Sequence, residues 1–361
     1  MPAAKQREVA TTDDTVRWMN ILEDVGEYDF YHLPGYQHLC EPQLEGRAVL
    51  PLFRHEGYSM AFPLLIRDIA IPGVMSNGYR DAACVPGLTG PVISDIGMPD
   101  EVRHNLMRQF QDFLRDNRFV SIYSRLHFLL GQEAFLSGYG ETVENGVEVT
   151  LDLAIPLEEQ ASRYRRNVRS DLKTLESMNL VFEEVGSERL DVFMSLYYAT
   201  MDRVGAAQIY YNDKAYFESL LNDMSQYTRL FLCRDGETIA CALFALLCKK
   251  HVHAYRIGMV DEYRDLCISK LVYDELRIWA TNAGAKVFHF GGGARGGRDS
   301  LYHFKMGFGG REGICCTWRY VADQEVYDGL CRQAFALAGK TPADSYFPQY
   351  RSPSLGLGQG E

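Results

Sequence analysis

The sequence predicts a mixed α/β fold arranged as two units in tandem. Three observations carry that reading. The chain has 361 residues, more than one ordinary domain holds, so two units are the natural expectation. Apolar stretches of strand character alternate with stretches of helical apolar spacing along it. The two halves also repeat one order: helices, then a hairpin whose turn follows Leu52-Phe53-Arg54 or Leu232-Cys233-Arg234, then further apolar strand and a helix.

The first unit, 1–146, opens with helical spacing over 15–24, ended by an aromatic stretch that holds Tyr31, Pro34 and Tyr36. Strand 48–54 turns at His55-Glu56-Gly57 into strand 58–67, a hairpin. Glycine, proline and small residues make 77–91 a loop. Leu106, Phe110, Phe113 and Leu114 place a helix over 101–117, and 119–126 reads as a strand. The second unit, 147–340, runs as strand 147–154, helix 157–177, strand 181–185 and helices 188–204 and 214–225. Strands 229–234, 238–248 and 251–258 follow, turned at Asp235-Gly236 and Lys249-Lys250. Helix 269–282 and a buried strand at 287–290 complete it, and the Pro-, Ser- and Gly-rich stretch 341–361 reads as a mobile tail.

Composition narrows the function. Hydrophobic residues make up 47% and charged residues 24%, ordinary for a globular protein with sizeable cores. No run reaches the length of a membrane span and residues 1–7 lack an apolar signal core, so a cytoplasmic location is expected. Nine cysteines, odd in number and scattered, do not read as a disulfide framework; Cys233, Cys241 and Cys248 sit inside apolar strands, and Cys315-Cys316 is read as structural. The formal charge of −11 opposes a wide nucleic-acid-binding face. It leaves room for a local basic groove, because Arg163, Arg165, Arg166, Arg169 and Lys173 cluster. On a helix Arg165, Arg169 and Lys173 share a face, either as a phosphate-binding strip for a donor or as a solvated surface.

The densest signal is a buried strand entering Gly291-Gly292-Gly293, then Asp299-Ser300-Leu301-Tyr302-His303-Phe304-Lys305-Met306-Gly307-Phe308. Glycines at a strand's end let a ligand approach the backbone, since no Cβ intervenes. A lysine framed by Phe304 and Phe308 is partly dried, and its charge then counts for more than in water. That pattern suits an anion or a developing oxyanion; neutralisation of Asp299 by Lys305 is the duller alternative. The literal Gly291-x-Gly293-x-x-Gly296 fingerprint lacks the long crossover helix of a dinucleotide unit, and Arg298-Asp299-Ser300 does not supply a Walker lysine. His251, His253 and His289 fall on neighbouring strands without Cys or acid at ligand spacing, so no metal is expected there. Tyr210-Tyr211 and the Tyr31–Tyr36 stretch are suited either to stacking on a substrate ring or to packing.

The second half's order of hairpin, strand, helix and strand resembles the GNAT acyltransferase core. Its glycine cluster and Phe304-Lys305-x-Gly307-Phe308 are similar to the Phe-Lys-x-Gly-Phe signature of FemAB/FemX-type transferases. Tyr197-x-x-Thr200-Met201-x-Arg203, Tyr210, Tyr216-Phe217, Tyr255-x-x-Gly258, Gly90-Pro91 and the arginine-rich helix also match that pattern. The resemblance implies two GNAT-like domains that move an aminoacyl or acyl group to an amine of a small-molecule, peptide or cell-wall-type acceptor. It implies that Phe304 and Lys305 sit beside the reacting ester, that Arg203 and Tyr255 face the acceptor with Tyr210 and Tyr36, and that Asp95 lines the acceptor cleft as the candidate base. Arg165, Arg169, Gly292 and Gly293 would hold the donor. No tightly bound cofactor is expected; the donor is aminoacyl-tRNA or acyl-CoA. The connection over 260–269 has no glycine and three acids, which favours the RNA-borne donor, with possible tRNA contact through the basic groove. Nothing reads as the extended arm of some cell-wall members. A noncatalytic binding module on the same fold is the reading from another class.

Overall fold

The computed structural model describes residues 8–293 and 296–357. They divide into two compact units, one of residues 8–145 with 315–357 and one of residues 146–314.

The first unit begins with β1 (Glu8–Thr11), α1 (Thr15–Val25), α2 (Pro34–Cys40), β2 (Arg47–His55), β3 (Tyr58–Ala61), β4 (Leu64–Asp68), β5 (Arg80–Ala83), β6 (Val92–Ile93), α3 (Asp100–Asp116), β7 (Phe119–Arg125) and α4 (Gln132–Leu136). The expected hairpin is present. β3 and β4 lie along β2 in one antiparallel register, Leu52 opposite Ala61 and Val49 opposite Leu64. Pro63, which has no N–H to give a ladder, sits in the gap between them. The stretch expected as loop contains β5, which is antiparallel to β4 and parallel to β7, so pairing overrides the weak strand propensity of its small residues. α3 turns Leu106, Phe110 and Leu114 into a core where Phe62 stacks on Phe110 at 5.3 Å beside Trp318.

The second unit starts within β8 (Glu141–Asp152) and continues through α5 (Leu157–Ser162), α6 (Arg166–Leu175), β9 (Leu180–Val185), α7 (Leu190–Val204), α8 (Lys214–Asn222), β10 (Thr228–Asp235), β11 (Thr238–Cys248), β12 (His251–Met259), α9 (Ile268–Asn282), β13 (Val287–Gly292) and α10 (Ser300–Met306). Its sheet runs β8-β13-β12-β11-β10-β9. Every neighbour is antiparallel except β12 and β13. On one face Val149, Leu151, Phe288 and Phe290 meet Val168 of α6, Val272 and Leu276 of α9, and Tyr302 of α10. On the other, Phe193 and Phe217 of α7 and α8 close on Phe244. The single helix expected over 157–177 is broken at Arg163-Tyr164-Arg165, where the Arg165 N–H turns away to the Gly307 carbonyl at 2.8 Å.

β14 (Arg311–Val321) and α11 (Gln324–Ala338) take the chain back to the first unit. This corrects the expected extent of the second unit to 340. Thr317 pairs with Arg125 of β7, and Tyr327, Leu330 and Ala334 of α11 bury against Ile69 and Val120. The tail also departs from expectation: Tyr350 and Leu355 are buried. The buried Asp81 carboxylate explains why, since it accepts from Arg67 at 2.9 Å, the Tyr350 hydroxyl at 3.0 Å and Arg351 at 2.5 Å. Removing the tail's donors would strand a buried charge. Residues 358–361 of that tail, and the amino-terminal 1–7, lie outside the described residues. No helix among the described residues is long and apolar enough to cross a membrane.

Candidate active site

The second unit's sheet opens at its one parallel pair. β12 and β13 stay in register only from His251 opposite Val287 to His253 opposite His289. Beyond that, β12 stays with β11 as far as Met259, while the end of β13 turns to β8, Gly291 facing Val149 and Gly292 facing Glu148. Both departures carry a bulge, one that leaves Tyr255 outside the β11 register and one at Phe290. Bulges bend a strand and re-aim its side chains. The result is a notch between two strands whose backbone groups have left the shared ladder, a place where a carbonyl can be held by main-chain donors.

His251, His253 and His289 fill the base of the notch as buried groups. His251 Nδ1 lies 3.0 Å from His289 Nε2, and the His253 ring stacks on His289 at 4.1 Å.

Lys305 reaches the rim of the notch from α10. Its Nζ donates to the Gly292 carbonyl at 2.6 Å, and the side chain is only 6% exposed. Gly291 is required there. Its φ of +73° is left-handed, a conformation that a residue with a Cβ adopts only with strain. Burial pushes the Lys305 amine down to about 8, while the carboxylates of Glu148 and Asp299 pull the other way. Asp299 caps α10 by accepting the Tyr302 N–H, so the lysine's hydrogen bond goes to a carbonyl and not to that acid. A cation held dry in this way can act strongly on a nearby negative charge.

The segment before α10 is tied down through Glu312, which accepts two bonds from Arg298, at 2.8 and 2.6 Å, and one from Tyr302 at 2.7 Å. Those donors hold the Glu312 carboxyl down at about 2. Behind α10, the break between α5 and α6 packs on the following turn, with Gly309 against the Arg163 backbone and Tyr164 edge-on to Phe308 at 5.2 Å. Lys305's helix and the arginine-rich helix are therefore neighbours, as the sequence could not show. Arg165 and Arg166 are exposed there.

The other expected site residues of this unit also have partners within the fold. Phe304 packs on Tyr273 and Phe308, a wall of the core behind Lys305. Gly292 supplies the carbonyl that anchors Lys305, and Gly293 stands where a Cβ would meet the Asp299 carboxylate at 2.3 Å. Arg169 donates to the Ser162 and Tyr164 carbonyls at 3.1 and 2.7 Å, closing the helix break, so its guanidinium is engaged in structure. Arg203 pairs with Asp261 at 2.6 Å. Tyr255 shares a 2.6 Å hydroxyl contact with Tyr216. Arg256 lies 4.0 Å over the Tyr255 ring and 5.5 Å from that of Tyr210, a stack the sequence reading missed because the bulge that aims it is not visible in residue types.

Within the first unit, Asp95 is an exposed turn residue whose carboxylate accepts the Gly97 N–H at 2.8 Å. Tyr36 is a correction. It is buried, its ring packs on Phe30 and Tyr31, and its hydroxyl donates to Pro86, so it has no face left for a substrate.

The acetyltransferase (GNAT) domain family matches residues 162–306 of this chain. No curated protein matches it. Among solved structures, FemX is similar with a TM-score of 0.69 at 14% identity, over 90% of this chain and 99% of that one. A conserved protein of unknown function from Bacteroides thetaiotaomicron is similar at 0.55 and 8% identity, over 88% and 99%. L-PGS from Bacillus licheniformis is similar at 0.54 and 11% identity, over 86% and 93%. At such identities these likenesses establish the fold: mixed α/β, of the GNAT type, in the FemX arrangement.

Proposed function

We propose that this chain, a FemX-like protein of GNAT fold, transfers an aminoacyl or other acyl group from an activated ester or thioester to an amine. The observation that carries this is the buried Lys305 ammonium at the rim of the notch between β12 and β13. Aminolysis asks for a carbonyl held near a neutral amine and for positive charge where the oxyanion forms. Main-chain groups of the opened strands and the Lys305 cation supply the second requirement. No step needs a metal or a bound cofactor.

The preferred donor is aminoacyl-tRNA. Arg165 and Arg166 beside α10 offer exposed cations for an RNA backbone. An acyl-CoA donor is the second reading, and one observation favours it. Cys267 takes a left-handed φ of 58° at the start of α9, and no side chain caps the Ile268 and Ser269 N–H groups, which a phosphate could meet without any glycine, while the Lys270 N–H goes to the Cys267 carbonyl. Acids at Asp261, Glu262 and Asp265 in the same connection oppose it. The acceptor is an amine on a small molecule, a peptide or a cell-wall-type precursor, with Tyr210, Arg256 and Tyr255 as its ring-binding surface.

The experiment is a transfer assay with bulk aminoacyl-tRNA and with acetyl-CoA, each offered to a panel of amines, on the wild type. Amide formation from the RNA ester alone supports the preferred reading, formation from acetyl-CoA alone selects the second, and none from either rejects both.

A further inference from the structure

The chemistry above leaves the attacking amine's proton without a destination. Asp95, the expected base, belongs to an exposed turn of the first unit and is bonded to its own backbone. The second unit holds another carboxylate in a better place. Glu148 stands on β8 directly across from Gly292, the residue whose carbonyl holds the Lys305 ammonium. The alternation of β8 fixes its direction: Val147, Val149 and Leu151 enter the core, so Glu148 points to the other face of the sheet. β8 also comes unusually close here, because a Cβ on Gly292 would meet the Val147 carbonyl at 2.4 Å.

Glu148 is half-buried, and among the described residues it makes no hydrogen bond or ion pair. Its field is nonetheless the larger of the two carboxylate influences on Lys305. A half-buried acid kept next to a dry cation, yet not bonded to it, is an unusual element in a purely structural site, where such groups pair.

We propose that Glu148 accepts the proton of the attacking amine, an assignment that rests on the transfer reading above. The amine nitrogen attacks the carbonyl carbon and a C–N bond forms, while the carbonyl oxygen gathers charge towards Lys305. The nitrogen, now positive and far more acidic than in the free amine, gives its proton to the Glu148 carboxylate. The intermediate collapses, the C–O or C–S bond breaks, and the proton passes to the leaving oxygen or sulfur. Amide and alcohol or thiol result, and the carboxylate is regenerated.

The test compares wild type, Glu148→Gln and Glu148→Asp with whichever of bulk aminoacyl-tRNA or acetyl-CoA the wild type uses. Two probe acceptors are offered, Nα-acetyl-lysine and hydroxylamine. Hydroxylamine, a much weaker base, loses its proton to water readily after attack. Glu148→Gln should slow transfer to the lysine amine by about 100-fold or more. It should change transfer to hydroxylamine only a few-fold, and Glu148→Asp should recover part of the loss. Equal rates for wild type and Glu148→Gln with both acceptors overturn the role of Glu148 while leaving the transferase reading intact. Equal slowing with both acceptors overturns it too, because the carboxylate then acts through Lys305 and not on the amine. A wild type that uses hydroxylamine alone overturns it as well, since only the stronger base needs a built-in proton acceptor. A wild type inactive with both donors removes the transfer reading and this assignment with it.

Discussion

Replacing Lys305 with methionine separates two consequences of burying that side chain. The folded protein holds the ammonium where water no longer solvates it, and a fall from the ordinary lysine range to about 8 corresponds to about 3 kcal/mol of destabilisation. The sign follows from which state binds the proton more tightly. Lys305 is protonated more readily unfolded than folded, so the penalty is fully present below about pH 8 and fades as pH rises towards the ordinary lysine value. Methionine fills a similar volume without charge but leaves the Gly292 carbonyl lacking its partner, a loss of about 1 kcal/mol. Lys305→Met should therefore be more stable than wild type by about 2 kcal/mol at neutral pH, a rise of roughly 5 °C in melting temperature. The gain should disappear in melts near pH 10, where wild type no longer carries the charge. Acyl transfer should move the opposite way, slower by about a hundred- to a thousand-fold in single-turnover assays, as for the loss of one oxyanion donor. A variant that melts below wild type at neutral pH, or that transfers at the wild-type rate, refutes the reasoning.

Three further outcomes follow from the same geometry. Transfer by the wild type should fall about tenfold per pH unit above roughly pH 8, as Lys305 loses its proton, and a flat profile to pH 9.5 or so contradicts its role. Gly258→Ala should destabilise by about 3 kcal/mol in urea melts, because its Cβ would lie 2.3 Å from the Tyr197 backbone nitrogen where α7 crosses β12. Joint replacement of Arg165 and Arg166 by alanine should weaken an RNA-borne donor and flatten the salt dependence of its binding, while a response with acetyl-CoA instead points to the second donor.

Local patterns carried much of the fold. The hairpin of β2 with β3 and β4, the helices α1, α3, α7 and α9, and the run β10 to β13 were legible because apolar period and turn chemistry agree there. The same holds for Lys305 and its glycines, which stand together in sequence. What escaped notice depends on distant partners. The packed tail answers to Asp81, 270 residues away from Arg351, and a Pro-, Ser- and Gly-rich composition cannot announce that. β14 and α11 serve the first unit although they follow the second, so linear order misplaced them. The break between α5 and α6 is set by the Gly307 carbonyl, which competes successfully with helix propensity. For Tyr36 the sequence left stacking on a substrate and packing equally open, because nothing in its neighbourhood revealed that its ring is buried with those of Phe30 and Tyr31. Glu148 sat in a strand whose alternating pattern explains it as an outward polar residue, and only the register with Gly292 sets it apart.

The most direct measurement is the titration of Lys305 itself, followed by NMR on protein carrying labelled lysine, with Lys305→Met identifying the resonance. A midpoint near pH 8 is the predicted result, and its rise in Glu148→Gln is excluded because that carboxylate favours the charged form. A midpoint in the ordinary lysine range would mean that the ammonium is solvated and that the notch between β12 and β13 has no dry cation at its rim.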